Sequence, residues 1–310
     1  MLSIGIDIGG TKIEVIVINE CGNVIHKERF KTIKSSYDNF LNLLIKIIKD
    51  TTLLYSEEMS LGICLPGNCD VETGKIRNSN ILVINGRTLL SDLESNIPIP
   101  ISISNDANCF VLSEQVDGSA SNCQSVFGVI LGTGCGGGYV VHGKLLNGIN
   151  ACAGEWGHNP LPSYSFEVDG ESTTCYCGRI NCIESFISGT GLERQYLSRT
   201  GEHLKSYEII ELMRANDSDS LKTWGLYKNQ LHRCLASIVN MLDPETIVLG
   251  GGLSNVPEIM LNINQCVGQY VFGGICNTHF VTAKHGDSSG IRGAAWMGLQ
   301  LYQQKENVKY

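Results

Sequence analysis

The sequence predicts an α/β protein made of two similar halves, and three observations carry that expectation. A glycine-rich turn of nearly one kind occurs twice, at Ile6-Asp7-Ile8-Gly9-Gly10-Thr11-Lys12 and at Ile130-Leu131-Gly132-Thr133-Gly134-Cys135-Gly136-Gly137-Gly138. Each copy follows an apolar strand and leads into another strand, so the turn is a hairpin tip, whereas a Walker A loop or a Rossmann fingerprint would open a helix. The 310 residues suffice for two domains with a cleft between them, and 35 glycines against 7 prolines, without a repeat period, indicate close backbone approaches rather than disorder. Glycine tips bring backbone N–H groups near an anion, and two facing copies would grip a polyphosphate.

Ile4 to Ile8 and Ile13 to Ile18 read as strands joined by the first turn, and Glu20-Cys21-Gly22-Asn23 leads into a third strand at Val24 to Phe30. Leu41, Leu44, Ile45 and Ile48 recur at helical spacing, which makes Tyr37 to Thr52 a helix over one face of that sheet. Leu61 to Leu65 is a strand stopped by Pro66-Gly67; Ile99 to Ser104 is another, stopped by Asn105-Asp106-Ala107-Asn108 before a helix at Cys109 to Val116. Gly118-Ser119-Ala120-Ser121-Asn122 is the linker, giving lobes of residues 1–118 and 119–289, with a C-terminal helix over about 290–310 packing back on the first. Gly154 to Glu184 is irregular and is followed by helices at Gly189 to Arg199, Ser206 to Arg214 and Ser218 to Leu242, the last stopped by Asp243-Pro244. Thr246 to Leu249 is a buried strand that delivers Gly250-Gly251-Gly252, and Ser289 to Tyr302 is a closing helix with a small-residue face. Lys284 to Asp287 reads as a polar loop.

A charged fraction of 17%, a net charge of −8 and a pI near 5.4 leave no basic surface for a nucleic-acid partner. The chain enters a strand at its N-terminus without a secretory leader, and no apolar run approaches the roughly 18 residues of a membrane span, so a soluble cytoplasmic protein is expected. Thirteen cysteines then read as reduced thiols, with any tight cluster a metal site.

Asp7, at the tip of a buried strand, is placed to hold Mg²⁺ through water beside phosphates, against the plainer role of capping its own turn. Gly9, Gly10, Thr11 and Lys12, facing Gly132, Thr133 and Gly134, would contact the phosphates. Asp106 follows a strand and precedes a helix, where α/β ligands bind, and would take the proton of an acceptor hydroxyl; by local spacing alone, a helix cap is the commoner use of Asn105-Asp106. Cys175, Cys177 and Cys182 fall within eight residues, and with His158 they make a closed S₃N set for structural Zn²⁺. That metal would pin the loop carrying Glu155 and Glu184, carboxylates that suit sugar hydroxyls, while the second nitrogen of His158 donates a hydrogen bond. Gly250, Gly251 and Gly252 would let backbone lie against a purine, or form only a tight turn.

Taken in order, the two glycine turns, Gly154-Glu155-Trp156-Gly157-His158, the Cys-x-Cys-Gly-x-x-x-Cys-x-Glu run from Cys175 to Glu184, and Leu249-Gly250-Gly251-Gly252 resemble the ROK family of sugar kinases and repressors along essentially the whole chain. Asn105 to Asn108, Gly154 to Pro162, Glu184 to Gly191 and Lys284 to Trp296 look most similar to its bacterial fructokinases (manno-fructokinases). The resemblance implies an actin-like ATPase fold, with duplicated RNase H-like lobes and ATP and sugar in the cleft, and a homodimer. It implies Asp106 as catalytic base, sugar contacts at Gly67, Asn80, Asn105, Glu155, His158 and Glu184, and zinc on His158, Cys175, Cys177 and Cys182. The expected reaction is ATP-dependent phosphorylation of the fructose 6-hydroxyl, with mannose, glucose or an N-acetylhexosamine as alternative acceptors and a non-catalytic regulator the weakest reading. Two departures stand out. Asn181 occupies a position usually held by Gly but tolerates left-handed backbone, and Val83 lies near where those fructokinases tend to carry an aromatic.

Overall fold

A computed structural model describes residues 1–307, so the last three positions of the expected terminal helix lie outside the described residues. The chain divides into two compact units: residues 1–122, 143–153 and 287 onward form the first; residues 123–142 and 154–286 form the second. The sequence instead puts residues 143–153 in the second half and the boundary four residues earlier.

In the first unit, β1 (Leu2–Ile8) and β2 (Lys12–Asn19) form the antiparallel hairpin around the first glycine turn, and β3 (Val24–Lys31) continues the meander. Helix α1 (Tyr37–Thr52) starts where Ser36 Oγ accepts from Asn39 N–H at 3.2 Å, and it buries Phe40, Leu44, Ile47 and Ile48. Strands β4 (Met59–Leu65) and β5 (Ile101–Asn105) add in parallel, giving the order β3-β2-β1-β4-β5. Every residue of β4 is buried, because one face meets the core that includes α1 and the other meets the C-terminal helix Ser289–Asn307. That helix lies close: a Cβ on Gly62 would stand 1.7 Å from the Ala294 carbonyl oxygen. Helix α2 (Asp106–Val116) begins three residues before the sequence places it, since Asn105 caps it.

The second unit repeats the plan. Strands β6 (Ser125–Leu131) and β7 (Cys135–Val141) form the hairpin of the second glycine turn. Helices α3 (Gly189–Thr200), α4 (Ser206–Arg214) and α5 (Ser218–Leu242) precede β8 (Thr246–Gly250), which runs parallel to β6 and to β9 (His279–Thr282). Strand β9 and a helix at Leu89–Glu94 are too short to leave a periodic signal. Tyr227, Leu231 and Leu235 of α5 are fully buried with Phe127, Val129 and Leu131 of β6 in one core. Asp169, at the start of the Cys-rich loop, forms a buried ion pair with Arg233 of α5, which also donates to the carbonyls of Pro162 at 2.6 Å and Ser163 at 3.1 Å. Among the described residues, no helix is long and apolar enough to cross a membrane.

Candidate functional site

In the first unit, the β1-β4-β5 register brings two carboxylates into one electrostatic neighbourhood. Asp7, next to last in β1, lies opposite Glu14 of β2 and beside Cys64 of β4. Its carboxyl is pushed up to about 6, chiefly by burial and further by the negative charges of Asp106 and Glu14, while a hydrogen bond from Cys64 and the charge of Lys12 pull the other way. A half-buried carboxylate with two negative neighbours suits a cation. Asp106 opens α2, is exposed, and accepts from the Ala107 N–H at 2.8 Å through Oδ1.

Asn105 is committed at both ends: Oδ1 accepts from the Asn108 N–H at 2.8 Å, and Nδ2 donates to Asn68 Oδ1 at 3.0 Å. The capping use and the functional use of Asn105-Asp106 are therefore adjacent rather than exclusive, with the cap on Asn105 leaving Asp106 at the helix mouth. Gly67 has φ +97°, and a Cβ there would stand 2.4 Å from the Arg77 carbonyl oxygen, so it supports the loop that carries Ser79 and Asn80.

The first glycine turn is closed by Gly9 N–H donating to the Lys12 carbonyl at 2.9 Å, and Thr32 holds it from outside through its hydroxyl to the Gly9 carbonyl at 2.7 Å. Lys12 does not reach over the turn; its ammonium pairs with Glu14 at 2.7 Å. With Arg29, it holds Glu14 below the usual carboxylate range. Lys34, which sequence reasoning missed, does reach the turn: its Nζ stands 3.7 Å from where a Cβ on Gly10 would be, and Asn80 Oδ1 stands 4.0 Å from the same point. No local spacing links Lys34 to Gly10, so only the fold reveals the proximity.

In the second unit, the glycine turn, the Glu155 motif and the Cys-rich loop form one assembly. Gly132 N–H donates to the Gly134 carbonyl at 3.0 Å, closing the turn. Gly189 N–H and the Thr190 hydroxyl bind the carbonyls of Gly132 and Thr133 at 2.7 and 2.9 Å, docking the start of α3 on it. Glu184 Oε2 accepts from the Cys135 N–H at 2.9 Å, so this carboxylate ties the Cys-rich loop to the hairpin. Trp156 donates from Nε1 to the Gly136 carbonyl at 2.9 Å, seating the turn that carries Glu155 and His158 on β7.

A cavity of about 590 Å³ opens beside this turn, lined by Gly132, Thr133 and Gly252, with Thr190 of α3, Tyr207 of α4 and Lys205 just before α4. Gly134, Gly250 and Gly251, also expected at a nucleotide, do not line it. Gly251, at φ +81°, packs beneath the turn instead, where a Cβ would lie 2.6 Å from the Leu131 carbonyl. The contributions of α3 and α4 were missed because their residue types are ordinary for helix surfaces.

The ligand atoms of His158, Cys175, Cys177 and Cys182 all lie within 4.8 Å of one another. Cys177 and Cys182 Sγ are 3.6 Å apart, as are Cys175 Sγ and His158 Nδ1. Ligands about 2.0–2.3 Å from a tetrahedral Zn²⁺ stand roughly 3.3–3.8 Å apart, so the donor set and its spacing fit that ion. Burial and the neighbouring sulfurs push Cys182 up to about 12, whereas the Arg179 backbone N–H holds Cys177 down. Asn181 adopts left-handed backbone, φ +58°, and its Oδ1 accepts from Thr173 N–H at 2.9 Å, so the departure from Gly leaves the loop closed. Tyr176, between two of the cysteines, places its hydroxyl 3.0 Å from His158 Nε2. Loss of water, then the charges of Glu184, Cys175 and Glu155, push that phenol up to about 12.

The sequence model of the ROK family matches residues 3–300. The chain is 38% identical over 299 residues to an N-acetyl-D-glucosamine kinase of Photobacterium profundum, covering 96% of this chain and 99% of that one. It is 36% identical over 307 residues to an N-acetylgalactosamine kinase of a Shewanella species, covering 96% of each. The crystal structure of a ROK hexokinase from Thermus thermophilus superposes with a TM-score of 0.85 at 27% identity, over 98% of this chain and 100% of that one. With its paired glycine hairpins, each on a sheet of the same order, this chain has the actin-like ATPase fold and belongs to the ROK family.

Proposed function

We propose that this protein is an ATP- and Mg²⁺-dependent kinase that phosphorylates the 6-hydroxyl of an N-acetylhexosamine. The observation that carries the substrate class is the 36–38% identity, along nearly the whole chain, to kinases named for N-acetylglucosamine and N-acetylgalactosamine. Fructose, which the sequence reading places first, finds no support in these relatives; the N-acetylhexosamine held as its alternative does, and the aliphatic Val83 agrees.

In this reading, Asp106 accepts the proton as the sugar oxygen attacks the γ-phosphorus; the new O–P bond forms, the bond to the β-phosphate oxygen breaks, and ADP leaves. Gly67, Asn80 and Glu155 would bind sugar, Asn105 and Glu184 would do so with their remaining hydrogen-bonding capacity, and His158 through Nε2. Gly9, Gly10 and Thr11 would serve the phosphates from the first unit, while Glu14 holds the Lys12 ammonium away from them. Thr133, Gly132 and Gly252 of the second unit would hold the nucleotide. Asp7 would hold Mg²⁺ through water, and the bound ion would neutralise phosphate charge. Zn²⁺ on His158, Cys175, Cys177 and Cys182 would be structural, since four protein ligands leave no open position.

A coupled ADP-release assay across N-acetylglucosamine, N-acetylgalactosamine, N-acetylmannosamine, glucose, mannose and fructose tests the reading. The highest kcat/KM is expected with an N-acetylated sugar, and a clear preference for fructose would overturn the substrate class.

A further inference from the structure

We propose that Tyr176 gates the sugar site: its hydroxyl occupies the hydrogen-bonding position of His158 Nε2 that a hexose hydroxyl takes, and it swings away when sugar binds. The proposal rests on the kinase reading, and it concerns this chain's own side chain rather than the shared motif.

Nδ1 of His158 faces the thiols, 3.6 Å from Cys175 Sγ, so Nε2 is the nitrogen left for any other ligand. An imidazole nitrogen has one N–H or one lone pair in the ring plane and serves one partner well. Tyr176 already supplies that partner, with its oxygen 3.0 Å away and its ring edge-on to the imidazole at a centroid distance of 5.2 Å. A sugar oxygen and the phenol oxygen therefore compete for one position.

Movement of the tyrosine is inexpensive. Its residue is 82% exposed, so turning the ring into water uncovers little apolar surface. Backbone bonds from Cys175 N–H to the Arg179 carbonyl at 2.8 Å and from Gly178 N–H to the Cys175 carbonyl at 2.9 Å close the turn that carries it, which confines the change to the side chain. In the absence of ligand, the hydroxyl keeps His158 satisfied and its ring oriented. A ligand bringing no hydroxyl to Nε2 would leave the gate shut.

Tyr176→Phe keeps the ring and removes the competitor. Its Kd for the preferred N-acetylhexosamine by titration calorimetry, and its sugar KM, are expected to fall about 2- to 10-fold, the range set by one net hydrogen bond, with ATP KM and kcat unchanged. An unchanged sugar Kd would overturn the gate, and a weaker one would make the hydroxyl a sugar ligand instead. An independent arm uses the unmodified chain: saturating sugar should speed nitration of Tyr176 by tetranitromethane, mapped by mass spectrometry, whereas unchanged or slowed nitration overturns the gate. If the wild type phosphorylates no hexose, the kinase reading fails; if it does and these results are contrary, only the gate fails.

Discussion

Replacing Asp7 by Asn is expected to make the Mg²⁺-free protein more stable at neutral pH while abolishing its activity. Asp7 is the one half-buried residue in an otherwise buried β1, with Glu14 and Asp106 adding negative charge and Lys12 drawn to Glu14. Its folded pKa of about 6 lies above the ordinary value of 3.8. The folded state thus binds this proton more tightly than the unfolded one. Below about pH 4 the group is protonated in both states and costs nothing; as pH rises from 4 to 6 the unfolded chain ionises first, and stability falls until the full penalty is reached above 6. Two pKa units at about 1.4 kcal/mol each give a penalty of about 3 kcal/mol at pH 8.

Asn carries no such charge, and its carbonyl can still accept from Cys64. Urea denaturation of wild type and Asp7→Asn, without added Mg²⁺, should show the variant gaining about 2 kcal/mol relative to wild type between pH 4.5 and pH 8, since about 1 kcal/mol of the penalty is already present at pH 4.5. Using the difference between two pH values cancels any pH-independent cost of the amide. An offset that does not change with pH would refute the claim that Asp7 is an uncompensated buried charge. Full kinase activity in the variant would separately remove it from the Mg²⁺ site.

Asp106→Asn is expected to lower kcat by at least about 10²-fold, the ordinary contribution of a general base, with little change in sugar Kd by calorimetry; near-wild-type kcat would eliminate it as the base. Purified, reduced protein should contain about one Zn²⁺ per chain, and Cys177→Ser should lower both that content and the melting temperature; metal analysis that finds none would remove zinc as the staple of the loop. Asp169→Ala strands the Arg233 guanidinium, which is only 6% exposed, and should cost about 3–5 kcal/mol in urea denaturation. The remaining bonds to Pro162 and Ser163 favour the lower end, and a cost below about 1 kcal/mol would show that the loop does not depend on this anchor.

What the sequence disclosed and what it withheld divide along the range of the interactions. Helix α1 was readable to the residue because its apolar spacing is local, and the Ser36 cap that fixes its start is local too. The thiol cluster was readable because three of its four ligands fall within eight residues, and even the backbone of Asn181 followed from its residue type. The bond from Glu184 to Cys135 spans 49 residues, and the turn of Lys12 toward Glu14 depends on β-register. Neither leaves a pattern in the chain.

The glycines show the same division within a single residue type. The glycines of the two turns and of Gly250 to Gly252 read as places where backbone approaches a ligand, yet Gly251, like Gly137, Gly154 and Gly157 of the neighbouring motifs, is a place where backbone approaches backbone: a Cβ at each would come within 2.8 Å of a main-chain carbonyl. Gly132 and Gly252 differ, having no neighbour within 4 Å of that point, and both line the cavity of the second unit. A methyl group at the packed positions would displace the hairpin or the loop seated on it, whereas at Gly132 or Gly252 it would meet open space beside the cavity. The glycine motif therefore encodes two requirements at once, a tight scaffold and an open floor, and only three-dimensional distances tell which glycine serves which.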